Sequence, residues 1–300
     1  MKDRTGAMNE ETPLRSFLKD FTDNKLAVTG LALLLAVVTI ALFAPWISPQ
    51  NPYDLGMLDL MDARLEPGAK GTADFTYLLG TDGQGRDMLS AIFYGLRVSL
   101  TVGVTSGLIA LTLGGLLGVL AAYAGGRFEA LLMRVVDIQL GFPAILVALI
   151  LIAVLGKGVD KIIIALVCVQ WAYYARTARS AALVERSKEY IEAARGLGLG
   201  RARIVLRHLL PNALPPLIVV GTVQVAHAIA LEATLSFLGL GLPTTEPSLG
   251  LLIANGYEYL LSGKYWISMY PGVALLLTIL AINLVGDQLR DQLNPRLARA

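Results

Sequence analysis

The stretch SKEYIEAARGLGLGRARIVLRHLLPN, Ser187 to Asn212, carries five Lys and Arg residues between two apolar runs of a 300-residue chain that is 55% hydrophobic and only 16% charged. So apolar a composition leaves too few polar side chains to cover a soluble domain, which makes an integral membrane protein the expected class. Outward from the stretch, apolar runs approach or reach the roughly 17–25 residues needed to cross a bilayer at Leu26–Ile47, Val98–Ala122, Ile138–Leu155, Ile162–Ala175 with its flanks, Leu214–Leu235 and Pro271–Gly286. Six spans is the expected count. The fourth run is the weakest, because Lys161 and Arg176 bracket it and Gln170 lies inside it; Trp171, Tyr173 and Tyr174 complete it at an interface.

Basic residues concentrate on the cytoplasmic side of spans. With the N-terminus inside, 18 of the 25 Lys and Arg residues, including those of the Ser187–Asn212 stretch, fall on one side, and 7 on the other. Both termini and the opening stretch are therefore expected to be cytoplasmic. The net charge of only +2 conceals this asymmetry and gives no support to nucleic-acid binding. The expected organisation is a cytoplasmic tail and first span (1–47), a polar outer loop (48–97), a five-helix core (98–289) and a cytoplasmic tail (290–300). The first run follows about two dozen polar residues and exceeds the usual apolar length of a cleaved signal, so it reads as a retained anchor. The single cysteine, Cys168, lies within a span and forms no disulfide framework. Gly103, Gly107, Gly114, Gly115 and Gly118 have the spacing that lets helix backbones approach closely in lipid.

Within the opening stretch, Ser187 is expected to cap a helix that begins at Lys188 and is ended by Gly196, Gly198 and Gly200. A second short helix, Arg201 to Leu210, then runs into Pro211. Tyr190, Ile191, Ala194 and Leu197 recur at three and four residues and share one face, ringed by Glu189, Glu192 and Arg195. Pattern alone leaves two readings open: adsorption to anionic lipid on the inner leaflet, or docking to a protein partner.

At these residues the sequence resembles a known family. Glu192-Ala193-Ala194, Gly198 and Leu210-Pro211 look like the EAA loop of membrane subunits of binding-protein-dependent ABC importers. His208 stands where the general pattern has a hydrophobic residue, and His208 followed by Leu-Leu-Pro-Asn is similar to the dipeptide/oligopeptide branch. The resemblance extends through Asn24–Ala27 with Ala44-Pro45, Leu79–Asp82 to Gly85–Asp87, Glu232 with Ser236–Gly241, and Gly286-Asp287 with Leu289–Asp291; Asn294-Pro295-Arg296 replaces the usual Asp-Pro-Arg. It is identified as a member of the "C"-type permease subunits. The resemblance implies an all-α, six-span, type I importer (MetI-like) permease fold in a bacterial cytoplasmic membrane. It implies a homologous permease partner, two ATPase subunits and an extracytoplasmic substrate-binding protein, with ATP and Mg held by the ATPases and no cofactor on this chain. It implies that residues 187–211 form a coupling helix seated on an ATPase, to which Glu192, Ala193, Ala194, Arg195, Gly196, Gly198, His208 and Pro211 contribute.

Gln224 and His227, three apart in the fifth span, and Glu232 beyond them are polar groups that in a span usually face a bundle interior or a wet cavity; they are candidate pathway residues. Asp82, Arg86 and Asp87 read as an outer turn held by mutual pairing, with a lesser prospect of touching the delivering binding protein. No Gly-Lys-Ser/Thr phosphate loop occurs, two histidines at different depths make a poor metal site, and no Gly-x-Ser-x-Gly is present. A transport subunit for peptides is thus the leading expectation. Nickel chelates, glutathione and sugar conjugates are alternative cargoes of the same class. A self-assembling channel and an intramembrane enzyme are alternatives from other classes.

Overall fold

The computed structural model describes residue 19 and residues 21–293 except 55, 57 and 244. Of the basic residues counted at the extremities, Lys2, Arg4, Arg15, Arg296 and Arg299 lie outside the described residues, as does Asn294-Pro295. Helix α1, Lys25–Ile47, begins where the Asn24 side chain accepts from the N–H groups of Leu26 and Ala27, and ends at Ser48 just after Pro45. The Asn24 amide also donates to Gln288 at 2.6 Å, tying the first span to the last.

The outer loop is built around buried polar groups. A small hairpin, β1 (Ala69–Lys70) with β2 (Thr76–Tyr77), pairs antiparallel. The Tyr77 hydroxyl and the Thr72 N–H both donate to Asp62. Arg86 and Asp82 form an ion pair at 2.7 Å, each side chain 1% exposed. Gly85 sits at φ +77, and a Cβ there would lie 2.1 Å from the Asp59 carbonyl oxygen, so only glycine serves this turn. Trp266 donates from its ring nitrogen to the Thr81 carbonyl, seating the loop on the start of the last helix.

Asp87 caps α2, Met88–Ala124, accepting from the Ser90 N–H and hydroxyl. The helix thus starts ten residues before the apolar run expected at Val98, and its 37 residues exceed what a ~30 Å hydrocarbon layer requires. It ends at Gly125 and Gly126, both at positive φ.

The third expected span is not one helix. Helix α3, Gly126–Gly141, and α4, Ala144–Leu155, meet at 93°. Pro143 lacks an N–H and drives the preceding Phe142 into extended geometry, with φ −93 and ψ 143, so the continuous helix expected over Ile138–Leu155 breaks there. Alone, α4 reaches only about 18 Å.

Helix α5, Val159–Arg186, is longer than the expected fourth span and the least apolar of the long helices. It tolerates Gln170 because it faces protein rather than lipid. Its Ala165, Leu166, Ala172, Tyr174, Ala175 and Ala178 are fully buried. A Cβ on Gly114 would lie 2.2 Å from the Trp171 carbonyl oxygen, and one on Gly118 would lie 2.2 Å from that of Ala175. The two backbones are therefore in direct contact. Gly115, in contrast, has only Leu217 at 3.6 Å from an added Cβ, so the glycine stripe is used selectively.

After the short α6, Glu189–Gly196, the chain enters α7, Arg201–Ile204, a π turn over Val205–Leu209, and α8, Leu210–Phe237, without a break. The separate second helix expected to stop at Leu210 is therefore the first turns of the fifth span. The wide turn accommodates the missing N–H of Pro211. Helix α9, Leu249–Tyr257, is capped by Ser248, and α10, Trp266–Leu293, closes the bundle. Among the described residues, four helices are long and apolar enough to cross a membrane, or five if the bent pair counts as one. The expected six is reached only by adding α5, whose polar residues are sheltered by α2 and α8.

Gly118→Val should lower the thermal midpoint of the purified protein by an amount corresponding to roughly 1–3 kcal/mol, the usual overpacking cost. Gly115→Ala, whose added Cβ has room, should leave it unchanged or raise it by the equivalent of up to about 1 kcal/mol. Circular-dichroism melting of both variants checks the contrast.

Candidate functional site

Helix α6 starts after Lys188, not under a Ser187 cap: the Ser187 hydroxyl donates back to the Val184 carbonyl at 2.8 Å. Its end follows the expected glycine logic. Gly198, at φ +73, donates to the Arg195 carbonyl while Leu199 donates to that of Ala194, the paired bonds of a left-handed helix terminator.

The expected single apolar face is divided. Ile191 and Ala194 turn inward and pack with Val119, Ile204 and Leu209. Tyr190 and Leu197 stay outside, 40% and 81% exposed. On the opposite side from Ile191, Glu189, Glu192, Ala193 and Gly196 are all exposed. At 100° per residue these four lie on one flank of the helix. The small helix thus has one side anchored in its own chain and one side left free, acidic at its N-terminal end and small in the middle.

Three contacts brace this helix. The Tyr190 hydroxyl donates to Glu185 at the end of α5, and Lys188 pairs with the same carboxylate at 2.7 Å. Asn212, in the first turn of α8, donates to the Tyr190 oxygen at 3.3 Å and to the His208 carbonyl at 2.6 Å. The Arg195 guanidinium lies 5.5 Å from the centre of the Tyr123 ring at the end of α2. Burial, followed by the hydrogen bond to Glu185, pushes the Tyr190 phenol up to about 12. A raised phenol stabilises the fold below its ordinary value of 10 and loses that contribution only as pH climbs through about 12, so this brace does not titrate at neutral pH. His208 stands beside it, its ring 6.3 Å from that of Tyr190. Pro211 lies exposed in the first turn of α8.

The structure separates the three candidate pathway residues. Gln224 and His227 line one cavity of about 430 Å³ with Tyr173, Asp287 and Arg290. His227 is exposed, and Gln170 of α5 donates to the Gln224 carbonyl at 3.0 Å. Glu232 is 0% exposed and belongs to a different cluster: it accepts from Ser99 of α2 at 2.9 Å and from Ser236 at 2.8 Å. Five residues past His227 it has rotated into the packed interface, so its carboxyl joins α2 to α8. Asp82, Arg86 and Asp87 are each 1% exposed. Asp82 holds Arg86 and the loop backbone, while Asp87 serves the cap of α2. Their side chains stabilise the outer loop from within rather than offering a contact surface.

Two features escaped the sequence reading. Asp287 and Arg290 join the cavity because α10 packs on α8; they are four and seven residues past Asn283 on that helix, and nothing in their local sequence names α8 as their neighbour. The Glu185–Tyr190–Asn212 brace links three elements, and its only sequence trace is the asparagine directly after Pro211.

A multi-pass helical bundle with a braced, half-free helix on one end describes an integral membrane component. The chain belongs to the family of binding-protein-dependent transport system inner membrane components, whose profile matches residues 114–299. Residues 12–67 match the N-terminal TM domain of oligopeptide transport permease C, which places the chain in the dipeptide/oligopeptide branch of ABC importer permease subunits. Among curated relatives, it is 40% identical over 292 residues to the di/tripeptide transport system permease protein DppC of Pseudomonas aeruginosa, covering 96% of this chain and 94% of that one. It is 41% identical over 287 residues to the dipeptide transport system permease protein DppC of Escherichia coli, covering 95% and 94%. It is 43% identical over 268 residues to a putative peptide transport system permease protein of Brucella suis, covering 89% and 87%. A chain of the MetNI methionine ABC transporter, solved in inward-facing conformations, superposes with a TM-score of 0.57 at 24% identity, covering 68% of this chain and 97% of that chain. The fold is that of a type I importer permease, and the chain is a transport component rather than an enzyme.

Glu232→Ala should destabilise the protein by about 2–3 kcal/mol, because it strands two buried hydroxyls. Ser99→Ala, which removes one bond, should cost about 1 kcal/mol. Unfolding followed in detergent distinguishes this structural assignment from a pathway role, in which uptake would fall with stability intact.

Proposed function

We propose that this chain is one of two homologous permease subunits that carry dipeptides or oligopeptides inward across the bacterial cytoplasmic membrane. Import is coupled to ATP hydrolysis on two partner ATPases, and the cargo is delivered by an extracytoplasmic binding protein. ATP and Mg belong to the ATPases, and this chain supplies one wall of the pathway and one coupling helix. Both termini face the cytoplasm, in keeping with the bias of basic residues.

The observation that carries the proposal is the free flank of α6. Glu189, Glu192, Ala193 and Gly196 are exposed on one side, while Ile191 and Ala194 lock the other side into the bundle. A docking helix needs both properties, a surface for the partner and a rigid mount that passes the partner's movement to the spans. Ala193 and Gly196 permit close approach, and Glu192 offers an acceptor to a basic group or to a helix N-terminus. The names of the relatives support peptides as cargo. Gln224 and His227 lie on the proposed pathway face, where Asp287 and Arg290 add one charge of each sign.

Affinity-tagged chain extracted gently from native membranes should bring down a second permease and ATPase subunits, and Glu192→Arg should lose the ATPases while keeping the permease. Recovery of this chain alone, or as a homo-oligomer indifferent to Glu192→Arg, would support the channel alternative instead. Gly198→Asp should keep the complex assembled, since an added Cβ meets nothing within 4 Å. It strains the left-handed turn, so uptake of a labelled dipeptide by that complex should fall while ATP hydrolysis continues.

A further inference from the structure

A groove of about 730 Å³ opens at the end of the bundle that carries α6, between the ends of α2 and α5 and the starts of α3 and α7. Three guanidinium groups reach it, Arg186, Arg195 and Arg201, and no Asp or Glu is among its described lining residues. Its other wall is apolar. Leu120, Phe128 and Leu206 line it and are 43%, 47% and 57% exposed. The arrangement pairs a cluster of positive charge with a hydrocarbon surface.

We propose that this groove seats an anionic phospholipid of the cytoplasmic leaflet, the phosphate headgroup among the three arginines and the acyl chains along Leu120, Phe128 and Leu206. Guanidinium groups suit phosphate oxygens because they present several fixed N–H donors to them. Two of the three are held in place. Arg186 donates to the Ala122 carbonyl at 2.6 Å, and Arg195 lies over the Tyr123 ring. Arg201 is exposed at the first turn of the long helix that continues into α8. A free phosphate would satisfy the arginines and leave the apolar wall bare, whereas a phospholipid fills both.

The ATPase does not compete for this surface in the proposed assembly. Arg195 lies at the edge between the packed side of α6 and the docking flank and turns toward Tyr123 at the end of α2, whereas Glu189, Ala193 and Gly196 of that flank point away. The lipid would touch the coupling helix from behind, through Arg195, and the first turn of the fifth span, through Arg201. The leaflet's charge would then bear on how firmly the docking helix is mounted.

The test uses the whole transporter, purified with its partner subunits and incubated with equimolar phosphatidylglycerol and phosphatidylethanolamine. Native mass spectrometry should find phosphatidylglycerol retained in preference. Arg201→Gln should weaken that retention about fivefold, the effect of one basic residue at a lipid surface, with partner recovery and thermal midpoint unchanged; Arg201→Lys should restore most of it. A photoreactive amino acid at Leu120 of the otherwise unaltered chain should cross-link to lipid. No preference for phosphatidylglycerol, full retention by Arg201→Gln, or a cross-link predominantly to a protein subunit would overturn the proposal.

Discussion

The backbone contact between α2 and α5 is the constraint on which the remainder of the bundle depends. In hydrocarbon, helices gain little from burying apolar side chains against one another, so association relies on close packing and on polar groups that find partners. Gly114 and Gly118 bring the α2 backbone against the carbonyls of Trp171 and Ala175. The least apolar long helix is thereby shielded from lipid. With α5 fixed, Gln170 can meet the Gln224 carbonyl, and Ser99 of α2 can meet Glu232 of α8. These contacts are spread along the bundle and hold its three central helices in register.

The two ends of the molecule answer different demands with the same chemistry. On one end, buried charge makes a loop rigid: Asp82 and Arg86 neutralise one another inside it, and Asp62 gathers Tyr77 and Thr72. A buried pair of this kind contributes definition of shape more surely than net stability. On the other end, charge remains near the surface, where it braces α6 through Glu185, Lys188 and Tyr190 and leaves the acidic flank open. The first arrangement is closed on itself and the second leaves one side of α6 exposed.

Much of this was legible in the sequence. Most of the apolar runs and the glycine stop of α6 follow from short-range rules, and the EAA resemblance gave the family. What failed, failed where a local rule competed with something unseen. Pro143 was a breaker inside an apolar run and was overlooked because hydropathy averages across it. Ser187 has the chemistry of a cap, yet its hydroxyl found the Val184 carbonyl first. Glu232 is a polar group in a span, and its position between α2 and α8 depends on where α2 packs, which its own sequence does not encode. Asp287 and Arg290 reached the cavity through tertiary contact between helices far apart in sequence, which no local pattern encodes.

The π turn at Val205–Leu209 has a mechanical meaning. Because the chain passes through it without interruption, Arg201–Phe237 is one continuous rod of 37 residues. From Val205 to His227 along that rod is about 33 Å. A rod of that length magnifies: a tilt of about ten degrees about its cytoplasmic end displaces His227 by roughly 6 Å, more than the width of a peptide backbone. Pro215 and Pro216 lie within that length, the sites where such a rod bends most readily, so they set how much of a tilt at the loop reaches His227.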